Sequence, residues 1–88
     1  MATGTDTIDF GSTGSVYVTQ DVTTSGLTAA SYIEAFKMAE ASASNTVDAH
    51  IAAPIRLTCE YLTATTFRVH AVSDWTLRGV YNIRWVTA

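Results

Sequence analysis

The segment IRLTCEY at residues 55–61 alternates apolar and polar side chains without exception. FRVHA at residues 67–71 and YNIRW at residues 81–85 repeat the same pattern. Because successive side chains of a strand point to opposite faces of its sheet, each segment is typical of a strand with one apolar and one solvated face. The pattern predicts a mainly β fold, namely a small antiparallel β-sandwich or partly closed barrel of about five or six strands with one short helix.

The first two segments also predict how their strands pair. If residues 55–62 and 66–72 form a hairpin, their apolar faces must coincide, and this requirement restricts the register. One allowed register opposes Glu60 to Arg68, Thr58 to His70 and Cys59 to Val69. An exposed ion pair between Glu60 and Arg68 would select this register more than it would stabilise the fold.

The N-terminal part of the chain has a different composition. Residues 1–14 are rich in Thr, Gly, Ser and Asp, which is typical of a flexible arm. Ile8 and Phe10 interrupt this composition, so we expect them to form an apolar segment that pairs with a neighbouring chain. Residues 15–88 are then expected to form a single β domain. Its first strand is predicted at residues 15–22, with one face formed by Val16, Val18 and Val22.

Residues 28–41 allow two interpretations. The apolar positions 32, 35, 36 and 39 form a helical stripe, and the alanine content slightly favours a helix. As a strand, the same segment would place Tyr32, Phe36 and Met38 on one face. A short helix is expected over residues 46–53, because Asn45 or Thr46 can cap its start and Pro54 ends it.

Composition bounds the kind of protein and its partners. The 88 residues suffice for one small domain. Of these residues, 48% are hydrophobic and only 15% are charged. So few charges for a surface of this size favour a homo-oligomer. The net charge is −3, and the five Lys and Arg residues are scattered singly, so a nucleic-acid partner is not expected.

Other features of the sequence exclude further classes of protein. No apolar stretch approaches the length that spans a membrane, and the first residues lack the charged and apolar regions of a signal peptide. We therefore expect a protein made in a cytoplasm that contacts no membrane. The single cysteine fits that compartment. No motif predicts a cofactor, a metal or a small-molecule substrate.

A few residue types could carry chemistry, and each has a simpler interpretation. His70, Ser73 and Asp74 have the side chains of a hydrolase triad, but closeness in sequence is not triad geometry, and a polar strand face followed by a turn is favoured. Cys59 is in phase with the apolar face, which favours a buried, inert thiol over a nucleophile. His50 is more readily a turn-stabilising residue than a metal ligand or an acid–base group.

The aromatic residues are the better candidates for binding. Trp85 is in phase with its strand's apolar face and is expected in the core, whereas Trp75 lies in a predicted turn and is a candidate contact with another molecule. We therefore predict no catalytic residue, and four interaction residues: Ile8, Phe10, Trp75 and Arg78.

Several short islands of the sequence resemble small uncharacterised proteins encoded among the structural genes of tailed bacteriophages. The islands are Glu34-Ala35-Phe36, Asp48-Ala49-His50, Ala53-Pro54-Ile55-Arg56-Leu57, Cys59, Phe67, Ser73-Asp74-Trp75, Leu77, Gly79 and Arg84-Trp85-Val86. They are packing and turn residues, and they carry no chemical motif. The resemblance implies a virion component present in many copies, and it favours a strand around residues 34–36.

The expectation for function follows from these observations. We expect a non-enzymatic structural protein of a tailed-phage particle, made in the host cytoplasm and acting in the head, the connector or the tail. Its partners would be copies of itself and other virion structural proteins. The alternative is a small β-sandwich module that binds glycan or peptide through Trp75.

Overall fold

The computed structural model describes residues 2–88, which contain six strands and one short helix. The strands are β1 (Ala2–Asp9), β2 (Ser15–Thr23), β3 (Ile33–Lys37), β4 (Ile55–Thr63), β5 (Thr66–Leu77) and β6 (Val80–Thr87). Helix α1 (Val47–Ala52) lies between β3 and β4. The prediction of a mainly β fold with one short helix is confirmed.

The strands form two antiparallel sheets of three strands each. The first sheet has the order β1-β6-β3 and the second has the order β2-β5-β4, so β6 and β5 are the central strands. Between the sheets, β3 lies near β4 and β1 lies near β2, but no ladder joins them. The molecule is therefore an open, sandwich-like fold and not a closed barrel.

The core lies between the two sheets and is built from the predicted alternation. Phe67, Val69 and Ile83 are fully buried, and Leu57 packs against them from β4. The Trp85 indole is also buried, and its ring meets Phe67 edge to face with 5.4 Å between the ring centroids. The expected common inner layer of the C-terminal strands is confirmed.

The predicted register of the β4–β5 hairpin is confirmed as well. The opposed pairs are Glu60 with Arg68, Thr58 with His70 and Cys59 with Val69. The ion pair differs from the expected one, however. Arg68 binds Asp21 of β2, with 2.7 Å between Nε and Oδ1, while the Glu60 carboxylate accepts from the His70 ring. A central strand has two neighbours, and the hairpin sequence shows only one of them.

The predicted N-terminal arm is wrong over the described residues; Met1 lies outside them. Residues 2–9 pair with β6 along their whole length, and both Ile8 and Phe10 are buried in the core. Phe10 contacts the Tyr81 ring edge to face, with 5.8 Å between centroids. These two side chains therefore stabilise their own chain and cannot serve a neighbour. The domain accordingly extends back to Ala2.

Within residues 28–41 the chain forms a short strand and no helix. Over Ile33–Lys37 the chain pairs with β6, which buries Ala35 and leaves Phe36 at the surface. The helical stripe is overridden because β6 offers a full row of backbone partners. In β2, Val18 and Val22 face inward as predicted, but Val16 is exposed because a register shift between Ser15 and Tyr17 turns it outward.

The short helix before Pro54 is confirmed. Thr46 caps it, because its hydroxyl accepts a hydrogen bond from the Ala49 amide at 3.1 Å. His50 anchors the helix to β6, since its Nε2 accepts the Asn82 amide at 3.0 Å. Its Nδ1–H donates to the Thr46 carbonyl at 2.8 Å. Helix α1 is therefore fixed against the central strand of the first sheet.

Candidate functional site

The residue types of the suspected hydrolase triad do not come together. The Ser73 side chain is buried and its hydroxyl accepts from the Trp75 amide, whereas His70 lies on the outer face of the same strand. Asp74 forms an ion pair with Arg56. No nucleophile–base contact links the three. The expected polar strand face followed by a turn is wrong here as well, because β5 continues to Leu77 and Ser73 lies on its buried face.

Cys59 and His50 take structural positions. Cys59 is half-buried beside Glu34, and burial, with a smaller contribution from that carboxylate, raises the pKa of its thiol to about 11. The thiol is therefore protonated near neutral pH, and it is a poor nucleophile. His50 is fully buried, and both of its ring nitrogens are hydrogen-bonded.

Trp75 and Arg78 remain at the surface, unlike Ile8 and Phe10. Trp75 is 59% exposed and lies where β5 carries extra residues opposite the start of β2. Arg78 occupies the connection between β5 and β6, and within residues 2–88 it forms no ion pair. The two side chains therefore lie near one end of the fold, where several connections meet.

A groove of about 440 Å³ opens at this end. It is lined by Asp9, Gly11, Ser12, Ser44, Asn45, Arg78, Gly79 and Val80. Its floor is held by hydrogen bonds between connections. Asn45 Nδ2 donates to the carbonyls of Arg78 and Val80 at 3.0 and 2.9 Å, and the Ser44 hydroxyl accepts from the Val80 amide at 2.7 Å. We call this feature the loop-end groove.

Gly79 is required at the groove floor. Its φ is +77°, a conformation that L side chains rarely adopt, and a Cβ there would lie 2.6 Å from the Ser44 hydroxyl oxygen. The groove therefore depends on a tight turn between β5 and β6, and its shape is set by backbone geometry.

The outer face of the second sheet carries a different arrangement. Three side chains from three strands form a hydrogen-bonded line: the Tyr17 hydroxyl lies 2.6 Å from His70 Nδ1, and His70 Nε2 lies 2.7 Å from Glu60 Oε1. The Tyr17 and His70 rings are nearly parallel, with 11° between their planes. We call it the Tyr17–His70–Glu60 line.

The hydrogen bonds of this line assign the proton positions. An ionised carboxylate has no proton to give, so Glu60 accepts and His70 Nε2 carries the hydrogen. In the neutral imidazole the other nitrogen is then an acceptor, and the Tyr17 hydroxyl donates to it. Phenol, imidazole and carboxylate are thus connected in the order of a nucleophile, its base and the group that orients the base.

Ion pairs flank the line on the same face. Arg68 donates to both carboxylate oxygens of Asp21, at 2.7 and 3.3 Å, and this hydrogen bonding lowers the pKa of the Asp21 carboxyl. Arg56 pairs with Asp74 on the other side. The charges around the line are therefore neutralised by neighbours on the sheet.

Large apolar side chains, Tyr17 among them, are exposed on the surface. Within residues 2–88 they are Val16, Tyr17, Tyr32, Phe36, Val47, Ile51, Tyr61 and Trp75. Phe36 is 46% exposed on β3 and Tyr32, which immediately precedes that strand, is 56% exposed. These two aromatic rings lie at the β3 edge of the first sheet, away from the Tyr17–His70–Glu60 line.

The structure shows no metal centre among its described residues, where no group of three or more His, Cys, Asp or Glu side chains is placed to bind an ion. In residues 2–88, no helix has both the length and the apolar character needed to cross a bilayer.

Comparison with known proteins gives no relative: no family model matches the chain, and no curated protein or solved structure matches it. Its function must therefore be argued from its own residues.

The sequence did not predict the Tyr17–His70–Glu60 line, although half of it could have been found. In the predicted hairpin register, Glu60 is the diagonal neighbour of His70 on the polar face, which is within reach of long side chains. Tyr17 could not be placed, because β2 and β5 are far apart in the chain and no turn sets their pairing.

Proposed function

We propose that the protein is a non-enzymatic structural component of a tailed-phage particle, in the head, the connector or the tail, and that it acts by homo- and hetero-oligomeric assembly. The observation that carries the proposal is the surface of the β3 edge. β4 of the other sheet lies beside this edge without a ladder to it, so the exposed aromatic side chains, and not free backbone groups, offer the contact for another chain. The phage assignment itself is supported by the sequence resemblance alone.

The edges of the two sheets are not equally available. On β2, the Ser15 hydroxyl contacts both the amide and the carbonyl of Tyr17, and Gln20 donates to the Asp21 carbonyl. On β1, the Thr7 amide donates to the Asp6 carboxylate. Such local side-chain bonds partly cover an edge. They compete with an incoming strand for the same backbone groups.

The β3 edge has aromatic side chains instead. Tyr32 exchanges backbone hydrogen bonds with Ala88, at 2.8 and 2.9 Å, and so continues the pairing with the C-terminal segment beyond the strand. Its ring and that of Phe36 are then fixed on a paired backbone at the surface. Aromatic side chains are enriched in interfaces because they bury much area at low entropy cost. We assign this edge to contact with a second copy of the chain.

Sedimentation velocity across a range of concentrations tests the assembly proposal. We expect the wild-type chain to associate and the Phe36→Lys variant to shift toward monomer. Thr5→Lys is the matched control, because Thr5, Arg84 and Phe36 lie in one row across the first sheet and Thr5 is at the opposite edge. A wild-type chain that stays monomeric at every concentration would contradict the proposal.

The particle assignment has its own test in the order of genes. Portal, capsid or tail genes on both sides of this gene would support a virion role. Neighbouring genes of metabolism alone would count against it, whatever the oligomeric state of the chain.

The loop-end groove favours a second candidate, a module that binds glycan or peptide. Arg78 lines the groove, and no ion pair within residues 2–88 engages its guanidinium, while Ser12 adds a hydroxyl. Trp75, three residues before Arg78 in the chain, is exposed and offers a ring for stacking. A glycan array with wild type, Trp75→Ala and Arg78→Ala separates the candidates, because an assembly protein should give no saturable binding that these changes remove.

A further inference from the structure

The Tyr17–His70–Glu60 line is more ordered than a solvated polar face requires. Each of its two hydrogen bonds is short, and they connect side chains from β2, β5 and β4. Ion pairs on such a face commonly join two residues, as Arg68 and Asp21 do here. A hydroxyl donating to an imidazole that itself donates to a carboxylate is the arrangement that activates oxygen nucleophiles in proteins.

We propose that Tyr17 is an activated nucleophile and a site of covalent modification by activated acyl donors, such as thioesters, acyl phosphates or acyl imidazoles. His70 acts as its general base, and Glu60 positions the imidazole. The proposal goes beyond assembly, and it concerns the second sheet only.

The geometry supports each part of this proposal. Tyr17 is 50% exposed, so an electrophile can reach its hydroxyl. The distance of 2.6 Å from that hydroxyl to His70 Nδ1 is within the range that proton transfer to a general base requires. The 2.7 Å contact with Glu60 holds the imidazole in the tautomer whose Nδ1 is free to accept the proton.

The reaction with an acyl imidazole is balanced by these groups alone. The Tyr17 oxygen forms a bond to the acyl carbon while its proton moves to His70 Nδ1. The tetrahedral adduct then breaks its bond to the leaving imidazole, which takes the proton from His70. The products are an O-acyl tyrosine and free imidazole. The Glu60 carboxylate stabilises the transient imidazolium and keeps its own charge.

The chain contains its own control for this chemistry. Tyr32 is 56% exposed, which is no less than Tyr17. Among residues 2–88, however, no side chain is hydrogen-bonded to its hydroxyl. The two rates are compared at a protein concentration where sedimentation velocity shows a monomer, because the proposed contact between copies would cover Tyr32. Any difference in reactivity between these two phenols then reports the effect of His70 and Glu60 and not of access.

The experiment treats the full chain with limiting N-acetylimidazole and measures acetylation of each tyrosine by peptide mass spectrometry. Digestion must cut at acidic residues, because the first basic residue is Lys37 and trypsin would leave Tyr17 and Tyr32 on one peptide. A positioned general base contributes about 10²–10⁴-fold in enzymes, so on this open face we expect Tyr17 to react at least about tenfold faster than Tyr32. Equal rates would overturn the proposal.

Variants then assign the roles. His70→Phe keeps an aromatic ring but removes both nitrogens, and it should lower the rate of Tyr17 to that of Tyr32. Thr58→Ala is the matched control, because Thr58 lies directly opposite His70 on the same exposed face and should leave the ratio unchanged. If His70→Phe leaves the Tyr17 rate unchanged, or Thr58→Ala abolishes it, the proposal fails.

Glu60 is tested as a positioning residue. Glu60→Gln keeps an oxygen that accepts from Nε2–H but removes the charge that stabilises the imidazolium. We expect Glu60→Gln to lower the rate of Tyr17 relative to Tyr32, and Glu60→Asp, which restores a carboxylate, to recover part of that rate. An unchanged Tyr17 rate in Glu60→Gln would remove Glu60 from the mechanism. A change in both tyrosines would overturn the assigned role as well, because it would show that the variant acts through the fold.

Discussion

The packing of Gly4 against Trp85 gives a sharp test of the N-terminal strand. These two residues are directly opposed in the pairing of β1 with β6. A Cβ built on Gly4 would lie 2.5 Å from Cζ2 of the Trp85 indole and 2.7 Å from its Cε2. Real side chains do not approach so closely, so Gly4→Ala must displace either the indole or the strand. If residues 2–9 were a free arm, the same substitution would have no effect.

The expected loss of stability follows from two opposing contributions. Inserting a methyl group into a packed core costs about 1–3 kcal/mol. Gly4 has no positive φ, so alanine can adopt its backbone conformation. Alanine also restricts the unfolded chain, and this stabilises the folded state by about 0.4–1 kcal/mol. The net loss is about 1–2 kcal/mol, which lowers the Tm of a domain of this size by about 5–15 °C.

The assay is thermal unfolding followed by circular dichroism. Thr5→Ala is the control, because Thr5 is the next residue of the same strand and is exposed to solvent. We expect it to change stability by less than about 0.5 kcal/mol. An unchanged Tm in Gly4→Ala would refute the reasoning.

A double-mutant cycle identifies the indole as the obstacle. The Trp85 Nε1–H is buried without a hydrogen-bond partner among the described residues, so Trp85→Phe loses packing area but also removes an unsatisfied donor. A phenyl ring has no atom where the indole Cζ2 stands. We therefore expect Gly4→Ala to cost less in the Trp85→Phe background, with a coupling of about 1 kcal/mol or more. If the two substitutions change the free energy of unfolding additively, the added methyl group clashes with a residue other than Trp85.

Three further outcomes follow from the structure. The Cys59 thiol has an ordinary pKa of 9.0 when the chain is unfolded and a pKa of about 11 in the folded protein. Between these two values the unfolded state binds fewer protons, so the free energy of unfolding should fall as the pH rises. Urea unfolding should show this fall, and it should be less steep in Cys59→Ser. Arg68→Ala should raise the pKa of Asp21 toward its ordinary value, as an NMR titration of the carboxyl would show, with little change in stability because the pair is exposed. His50→Ala should destabilise the fold by about 2–4 kcal/mol in urea, because it leaves a cavity and an unpaired Asn82 amide; a smaller loss than that of an exposed alanine substitution would contradict the anchoring role.

The sequence predicted those parts of the fold in which every second residue is apolar, so that one whole face of the strand is apolar. In residues 55–61 and 67–71 a shift of one residue would expose every apolar side chain, so the pattern specifies both the strands and their register. The buried positions of Val69 and Ile83 follow from the same alternation. Such segments need no information from distant parts of the chain.

The N-terminal strand could not be predicted in this way. Residues 2–9 alternate threonine with small, acidic or apolar residues, and only Ile8 inside the strand gives a strong apolar signal. The inward position of Gly4 is filled by Trp85 from the opposite strand and not by a side chain of its own. The local sequence does not show that a side chain from another strand fills an inward position.

The residues of the candidate sites were also predicted only in part. Trp75 was predicted from its place in an expected turn; it is at the surface, but the turn is wrong, because Trp75 lies within β5. Ile8 and Phe10 were predicted from isolation in a polar segment, which does not distinguish a free arm from an edge strand. Tyr17 and His70 meet only because β2 pairs with β5, and this pairing is set by the packing of the whole sheet.

The assembly proposal depends on the first sheet and the Tyr17 proposal on the second, so each can hold or fail without the other. The outer face of the second sheet pairs its charges through Arg68 and Asp21 and presents the hydrogen-bonded Tyr17 hydroxyl. The first sheet ends in two exposed aromatic rings on a paired backbone, an arrangement suited to burial against another chain. Association through Phe36 would therefore leave Tyr17 accessible in every copy of an assembly. An activated phenol on the free face of an assembled subunit would be repeated with the symmetry of that assembly, so a weak single-site reactivity would become a dense array of modification sites.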